Sequence, residues 1–168
     1  ALDRPPSLEA LGIRPPPRSM LAPAGGEPWA PGPGSVREDG FALAADNGKF
    51  ALYVDPESSR FLVENMSSGY VWRSNPTPEK IAQESARGLV LQNLQSPYIL
   101  EYVSGTQIRR IQSNALDNKV DITLTAIENG IQASYDYPSL ELSFVMQIAL
   151  TEHGFELRIP EAGIREEG

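Results

Sequence analysis

Cysteine is absent from this sequence of 168 residues, and histidine occurs only once, at His153. The lack of cysteine excludes disulfides, thiolate metal sites and cysteine nucleophiles. A Ser-His-Asp triad would have to use His153, but residues 151–154 (Thr-Glu-His-Gly) have the composition of a hairpin turn. We therefore interpret His153 as a solvated turn residue. Only oxygen ligands remain for a metal, and the best cluster, residues 117–121 (Asp-Asn-Lys-Val-Asp), is interrupted by lysine and favours a turn, so no metal site is expected.

Long apolar runs and an excess of basic residues are missing as well. The unbroken apolar runs are only a few residues long, so neither a membrane span nor a signal peptide is expected. The formal net charge is −8, and the residues after position 37 carry nineteen acidic against ten basic side chains. Such an acidic body repels phosphate groups, so nucleic acid and anionic membranes are poor partners. No phosphate-binding glycine loop is present, and we expect no cofactor.

Proline divides the chain into two parts. Nine of the fifteen prolines lie in the first 37 residues, where proline prevents helix continuation and sheet pairing. We therefore interpret residues 1–39 as a proline- and glycine-rich arm or linker. Trp29 is its natural anchor, should the arm lie against the rest of the protein.

From residue 40 onward the apolar residues follow a period of two. The longest case is the series of even-numbered residues from Leu140 to Leu150, which predicts a strand with one face in a core. Turn residues such as Asn129-Gly130 separate the alternating segments. We expect one helix at residues 77–86, capped by Thr77. We expect strands at residues 41–45, 48–54, 60–65, 70–74, 88–94, 97–104, 106–113, 119–128, 131–137, 139–151 and 154–159. Residues 40–168 are thus predicted to form an all-β, antiparallel two-sheet sandwich.

The strongest candidate binding residues are Tyr70 and Trp72, which share one strand face in the segment Gly-Tyr-Val-Trp. Aromatic rings beside polar groups can stack on a sugar, so the pair is a candidate glycan-binding site. The simpler interpretation, which we favour, is that both rings close one end of the sandwich core. Four acids on expected strands could in principle serve a glycosidase, but each is more simply a solvent-facing neighbour of an apolar residue. These acids are Glu64, Glu101, Asp136 and Glu141.

Two segments resemble a known group of proteins. Residues 47–57 (Asn-Gly-Lys-Phe-Ala-Leu-Tyr-Val-Asp-Pro-Glu) and 69–76 (Gly-Tyr-Val-Trp-Arg-Ser-Asn-Pro) resemble the opening of large secreted bacterial proteins related to glycoside hydrolases. Residues 155–160 and 164–167 are similar to later strands of the same domain. In those proteins a galactose-mutarotase-like β-sandwich precedes a (β/α)8 barrel. The resemblance covers residues 41–168 and excludes the arm.

The resemblance implies a non-catalytic role. In those proteins the catalytic carboxylates belong to the barrel, so the resemblance assigns no catalytic residue to this chain. It implies a secreted or cell-surface module that supports, or presents glycan to, a downstream glycosidase-like domain. Because residues 166–168 fall within the expected sandwich, we expect the sandwich to be incomplete at this end. The alternative function is a cell-envelope or surface-assembly subunit, joined to other chains through its proline arm and strand edges.

Overall fold

The structure, a computed structural model, describes residues 25–26, 28–103 and 109–166. Within these residues the protein is mostly β-strand, and all strand pairs are antiparallel. The first sheet is a meander of β1 (Ala42–Asp46), β2 (Phe50–Val54), β3 (Phe61–Asn65) and β4 (Val71–Arg73). The second sheet contains β7 (Asp121–Ile127), β8 (Gly130–Tyr137), β9 (Leu142–Leu150), β10 (Phe155–Arg158) and β11 (Arg165–Glu166).

A smaller unit connects the two sheets in the chain. It contains α1 (Pro78–Gln83), α2 (Gly88–Gln95), β5 (Ile99–Val103) and β6 (Arg110–Asn114), and the last two form a hairpin. In the second sheet, β10, β9, β8 and β7 lie side by side in that order, and β11 also pairs with β9. Two 3-10 turns, Pro138–Leu140 and Glu161–Gly163, interrupt the strands of this sheet.

Strand β9 confirms the predicted alternation. Its even-numbered residues Met146, Ile148 and Leu150 are buried in the central cluster, and the even-numbered residues before them pack against it. Successive side chains of a strand point to opposite faces, so this pattern sends one whole side of β9 inward. The opposite face is not fully exposed, because Val145 and Gln147 are buried there.

The two larger sheets contribute to one core. The first sheet supplies apolar residues of β2 and β3, and the second supplies those of β7, β8 and β9. The cluster consists of Phe50, Leu52, Val54, Phe61, Val63, Leu124, Ile131, Ala133, Tyr135, Tyr137, Met146, Ile148 and Leu150. Burial of these side chains is the main favourable term in holding the two sheets together.

Two turns of the first sheet also hydrogen-bond to the second sheet. In the β1–β2 turn, Asn47 Nδ2 donates to the carbonyl oxygen of Thr151, over 2.9 Å. In the β2–β3 turn, the hydroxyl of Ser59 lies 2.7 Å from that of Tyr135 on β8. Ser59 and Tyr135 are almost completely buried. The turns that shape the first sheet therefore also fix its position on the second.

Three expectations from the sequence are wrong. Residues 88–94 form helix α2 and no strand, so the protein has two helices where one was expected. Leu91 and Leu94 are three residues apart, and Val90 is the only β-branched residue in the segment, which favours a helix. The expected strand at 139–151 begins only at Leu142, because Glu141 adopts a left-handed conformation (φ 51°) after a 3-10 turn.

Two other boundaries also differ from the expected ones. Helix α1 confirms a helix within 77–86, although Thr77 makes no side-chain capping hydrogen bond. The expected strand at 106–113 falls partly outside the described residues, and β6 begins at Arg110. The short strand β11 was not expected, since two residues give no readable alternation.

Substitution of Tyr135 by phenylalanine tests the inter-sheet hydrogen bond. The change removes one hydroxyl from the core and keeps the ring, so we expect the free energy of unfolding to fall by about 0.5–1.5 kcal/mol. Urea unfolding should show a lower midpoint with an unchanged slope. The control is Tyr53→Phe, since the Tyr53 hydroxyl makes no hydrogen bond within the described residues. An equal loss in both variants would contradict the role given to Tyr135.

Candidate functional site

One side of the two-sheet core ends at β4 and β10. Trp72 on β4 lies opposite Val63 in the strand register, and Val63 is fully buried, so Trp72 shares the core face of its sheet. The centre of its ring is 6.2 Å from that of Phe50 and 6.4 Å from that of Phe155 on β10. Phe155 in turn lies edge-on to Phe61, at 5.9 Å. Aromatic side chains from both sheets thus close this side of the core.

Tyr70 and Trp72 form the accessible part of this aromatic group. Their ring centres are 4.9 Å apart and their planes cross at 73°. Tyr70 is 60% exposed and Trp72 is 37% exposed. Trp72 therefore closes the core with one side and faces solvent with the other. Because the two rings are nearly perpendicular, they form a corner rather than one flat surface. Tyr70 is the more exposed of the two rings.

The polar residues that follow in sequence do not lie beside these rings. Arg73 lies opposite Leu62 in the register, on the other face of the sheet from Trp72. It lines a small pocket of about 80 Å³. The side-chain amide of Asn75 donates to the carbonyl oxygens of Leu94 (3.0 Å) and Ser96 (2.7 Å), and so ties β4 to the end of α2.

His153 and the 117–121 segment both lie in turns. His153 is exposed between β9 and β10, and its backbone amide donates a hydrogen bond to Thr151 Oγ1. Asp117 accepts hydrogen bonds from the Lys119 amide at 3.1 Å and from Ser113 Oγ at 2.7 Å, as expected of a turn-forming aspartate. In the described ranges, no group of three or more histidine or acidic side chains is arranged to hold a metal ion.

The four acids considered for glycosidase chemistry belong to different strands or turns. Glu64 is half-buried on β3, and Glu101 on β5 accepts a hydrogen bond from Gln112 Nε2 at 2.8 Å. Glu141 is exposed just before β9, and Asp136 is exposed on β8. No two of these four face each other in the strand register.

A buried group of tyrosines, which sequence reasoning missed, joins the smaller unit to the second sheet. The hydroxyls of Tyr98 and Tyr137 are 2.7 Å apart, and Ser113 Oγ lies 3.2 Å from the Tyr137 hydroxyl. Burial is the main cause that raises the pKa values of Tyr98, Tyr135 and Tyr137 above the usual value. Their phenols therefore stay protonated and act as structural hydrogen-bonding groups. The signal in the sequence was that Tyr135 and Tyr137 continue the apolar alternation of β8.

The arm contacts the outer edge of the second sheet. The backbone amide of Trp29 donates to the Leu124 carbonyl oxygen at 2.5 Å, and Pro28 forms an antiparallel bridge with Thr125 on β7. The Trp29 side chain is half-buried and packs against the central cluster. This agrees with the interpretation of Trp29 as an anchor. Residues 1–24 of the arm lie outside the described part of the chain.

An ionic turn supports the hairpin that carries Ser59. Asp55 accepts hydrogen bonds from Ser58 Oγ (2.6 Å) and Arg60 Nη2 (2.8 Å), and the Glu57 amide donates to its other oxygen. Burial acts to raise the pKa of Asp55, but the hydrogen bonds and the Arg60 charge outweigh it, so the pKa lies below its usual value of 3.8. The carboxylate is therefore held ionised in the folded protein.

Searches among family models, curated proteins and solved structures found no match to this chain. None of the described helices is long and apolar enough to cross a membrane.

The Asp55 turn predicts a specific acid sensitivity. A carboxylate with a lowered folded pKa stabilises the protein above its unfolded pKa and loses that contribution as the pH falls through the folded pKa. We expect Asp55→Asn to lower the free energy of unfolding at neutral pH and to reduce its further decrease below pH 3.8. Denaturant midpoints measured from neutral pH downward test this. The matched variant Glu57→Gln, in the same turn, should keep its neutral-pH midpoint, and an unchanged acid profile of Asp55→Asn would contradict the assignment.

Proposed function

We propose that this chain is a non-catalytic β-sandwich module of a secreted or cell-surface carbohydrate-active protein. In this role it supports a separate glycosidase-like domain or presents glycan to it. The observation that carries the proposal is the exposed aromatic corner formed by Tyr70 and Trp72, at the side of the core that the aromatic side chains close. Exposed aromatic side chains beside a rigid sheet provide an apolar surface on which a sugar ring can stack.

The position of the aromatic corner favours a role of Tyr70 and Trp72 in ligand binding over a purely structural role in the core. Trp72 is fixed from behind by Phe50 and Phe155, so its orientation does not have to be ordered when a ligand binds. Tyr70 lies on Trp72 at 4.9 Å and keeps most of its surface in solvent. A sugar ring could therefore stack with one face on the open face of Tyr70.

The sandwich assignment and the likeness to galactose mutarotase belong to this proposal. Two antiparallel sheets that share one buried cluster are the arrangement expected of such a sandwich. The absence of a catalytic role is likewise part of the proposal. It is supported by the exposed turn position of His153 and by the separation of the four acids on different elements.

Glycan binding by the aromatic corner can be tested with two variants. We expect Tyr70→Ala to bind the best ligand from a glycan array at least about tenfold more weakly, ~1.4 kcal/mol, with unchanged stability. Trp72→Ala should lose binding and also about 1–2 kcal/mol of stability, because its ring contacts disappear. Fluorescence titration measures the first quantity and urea unfolding the second. Leu116→Ala, a similarly exposed apolar residue in the β6–β7 connection, is the control.

Two outcomes would reject the glycan role. One is a folded wild-type protein that binds no glycan on the array. The other is a Tyr70→Ala variant that binds as tightly as the wild type. Hydrolysis of a chromogenic glycoside by the chain alone would reject the non-catalytic assignment.

A second candidate function is a surface-assembly subunit, and the contact between the arm and β7 favours it. Edge strands can accept an added strand from another chain. Here the edge of β7 already accepts the extended segment Pro28-Trp29 through one backbone hydrogen bond and a bridge. In an assembly, the same edge would receive the arm of a neighbouring copy.

Sedimentation over a range of protein concentrations tests this second function. Assembly through the arm predicts oligomers in the wild type and a shift to monomer in Trp29→Ala, because the anchor is removed. Val36→Ala, a half-exposed residue near the end of the arm and away from the contact with β7, is the control and should keep the wild-type distribution. A monodisperse wild-type monomer at all concentrations would contradict assembly.

A further inference from the structure

One polar side chain lies next to the aromatic corner, on the strand that pairs with β4. In the register of β3 and β4, Val63 is opposite Trp72, and Asn65 at the end of β3 continues this register to Tyr70. The backbone amide of Asn65 donates to the Tyr70 carbonyl oxygen at 2.8 Å. Residues that are directly opposite in an antiparallel pair project from the same face, with Cβ atoms about 4.5–5.5 Å apart. Asn65 therefore shares the sheet face of the two rings.

The side-chain oxygen of Asn65 is held by the turn between β3 and β4. It accepts hydrogen bonds from the backbone amides of Ser67 (3.0 Å) and Ser68 (3.2 Å), and from Ser67 Oγ (2.8 Å). The two backbone amides can only donate, so the atom that faces them must be the oxygen of the carboxamide and not its nitrogen. The turn thus fixes the orientation of the Asn65 side chain.

The side-chain nitrogen of Asn65 makes no hydrogen bond within the described residues, and the residue is half-buried. Two other asparagines of the same sheet and its connection differ in this respect. Asn47 donates from its nitrogen to the Thr151 carbonyl oxygen, and Asn75 donates to two backbone carbonyls. The carboxamide nitrogen carries two N–H donors and accepts nothing. Asn65 therefore adds a donor-only polar group to the aromatic corner.

A donor-only group selects among the polar groups of a sugar. A hydroxyl group both donates and accepts, so its own proton would need a further acceptor. The carbonyl oxygen of an N-acetyl group accepts only, and so complements the Asn65 nitrogen fully. The methyl of the acetyl group also needs apolar surface, and the residues beside Asn65 offer it, since Met66 is 50% and Tyr70 60% exposed.

The charges near the turn disfavour the other acceptor-only group of sugars, the carboxylate. Lys49 lies on the adjoining turn, where its carbonyl oxygen accepts from the Met66 amide at 3.0 Å, but its ammonium group is paired with Glu152 at 3.2 Å. Arg73 lies on the opposite face of the sheet. A chain with a net charge of −8 repels anionic sugars. A neutral acetyl group therefore fits the corner better than a carboxylate.

We infer that Asn65 is a specificity-determining residue of the aromatic corner, and that its side-chain nitrogen donates to the acetyl carbonyl oxygen of an N-acetylhexosamine stacked on Tyr70. This inference rests on the proposed glycan binding and names the class of sugar that the same site selects. The turn holds the carboxamide in place before the sugar arrives, so binding does not have to order this side chain.

Three matched tetrasaccharides test the inference by isothermal titration calorimetry with the full chain. Chitotetraose and cellotetraose share the β-1,4-linked backbone and differ in the acetamido group, and a tetramer of galacturonic acid carries carboxylates. We expect chitotetraose to bind at least about threefold more tightly than cellotetraose, as one net hydrogen bond provides. The galacturonate tetramer should bind more weakly than either.

The variant Asn65→Asp separates the donor from the turn. Its carboxylate keeps the acceptor for the turn amides and lacks the N–H donor, so the urea midpoint should stay close to that of the wild type. We expect the preference for chitotetraose over cellotetraose to disappear, with cellotetraose affinity unchanged. Asn118→Asp adds the same charge at an exposed turn position between β6 and β7, and should keep the wild-type preference.

The outcomes distinguish this inference from the proposed function. A chain that binds no glycan at all rejects both. A chain that binds glycans through Tyr70 but has equal affinity for chitotetraose and cellotetraose, or prefers the galacturonate tetramer, overturns the role of Asn65 alone. An unchanged preference for chitotetraose in Asn65→Asp does the same, since the acetyl group would then be recognised by another residue.

Discussion

The packing of the two larger sheets against each other is the contact on which the other features depend. It joins the two larger sheets into one core, and the inter-sheet hydrogen bonds of Asn47 and Ser59 only fix their relative position. The aromatic corner exists because β4 and β10 meet at one side of this packing. The candidate site therefore lies where the overlap of the two sheets stops.

The sequence predicted the β-rich fold well because burial on one face requires a period of two, and that period is directly visible. It also predicted most turns, since positions such as Gly48 and Asn129 have positive φ angles that glycine and asparagine tolerate. It failed at α2, where a short apolar segment fits either a helix or a strand until its neighbours are known. The alternation shows which face of a strand is buried but not which strand it pairs with. The extent to which the two sheets overlap could therefore not be predicted from the sequence.

The sequence could predict which residues form the candidate site but not how they are arranged. Tyr70 and Trp72 could be recognised as neighbours on one face, and the structure shows them in contact. Their perpendicular arrangement depends on Phe50 and Phe155, and Phe155 is distant in sequence. The buried tyrosine group likewise depends on long-range contacts, since Tyr98 and Tyr137 come together only when the smaller unit packs on β8. The residue types alone suggested a possible function, but the arrangement of the side chains could be seen only in the folded structure.

The hydrogen bond from Asn47 to Thr151 joins residues 104 positions apart. The first sheet is complete by Arg73, yet the surface that it must cover is not available until β9 has been synthesised. Contacts of such wide separation in sequence require closure of a long loop, which slows folding. During that interval the apolar faces of β2 and β3 are open to solvent and to other chains. The order of the strands thus makes a newly made chain vulnerable to aggregation from the completion of the first sheet until β9 has been synthesised, and assistance from a chaperone would matter most in that interval.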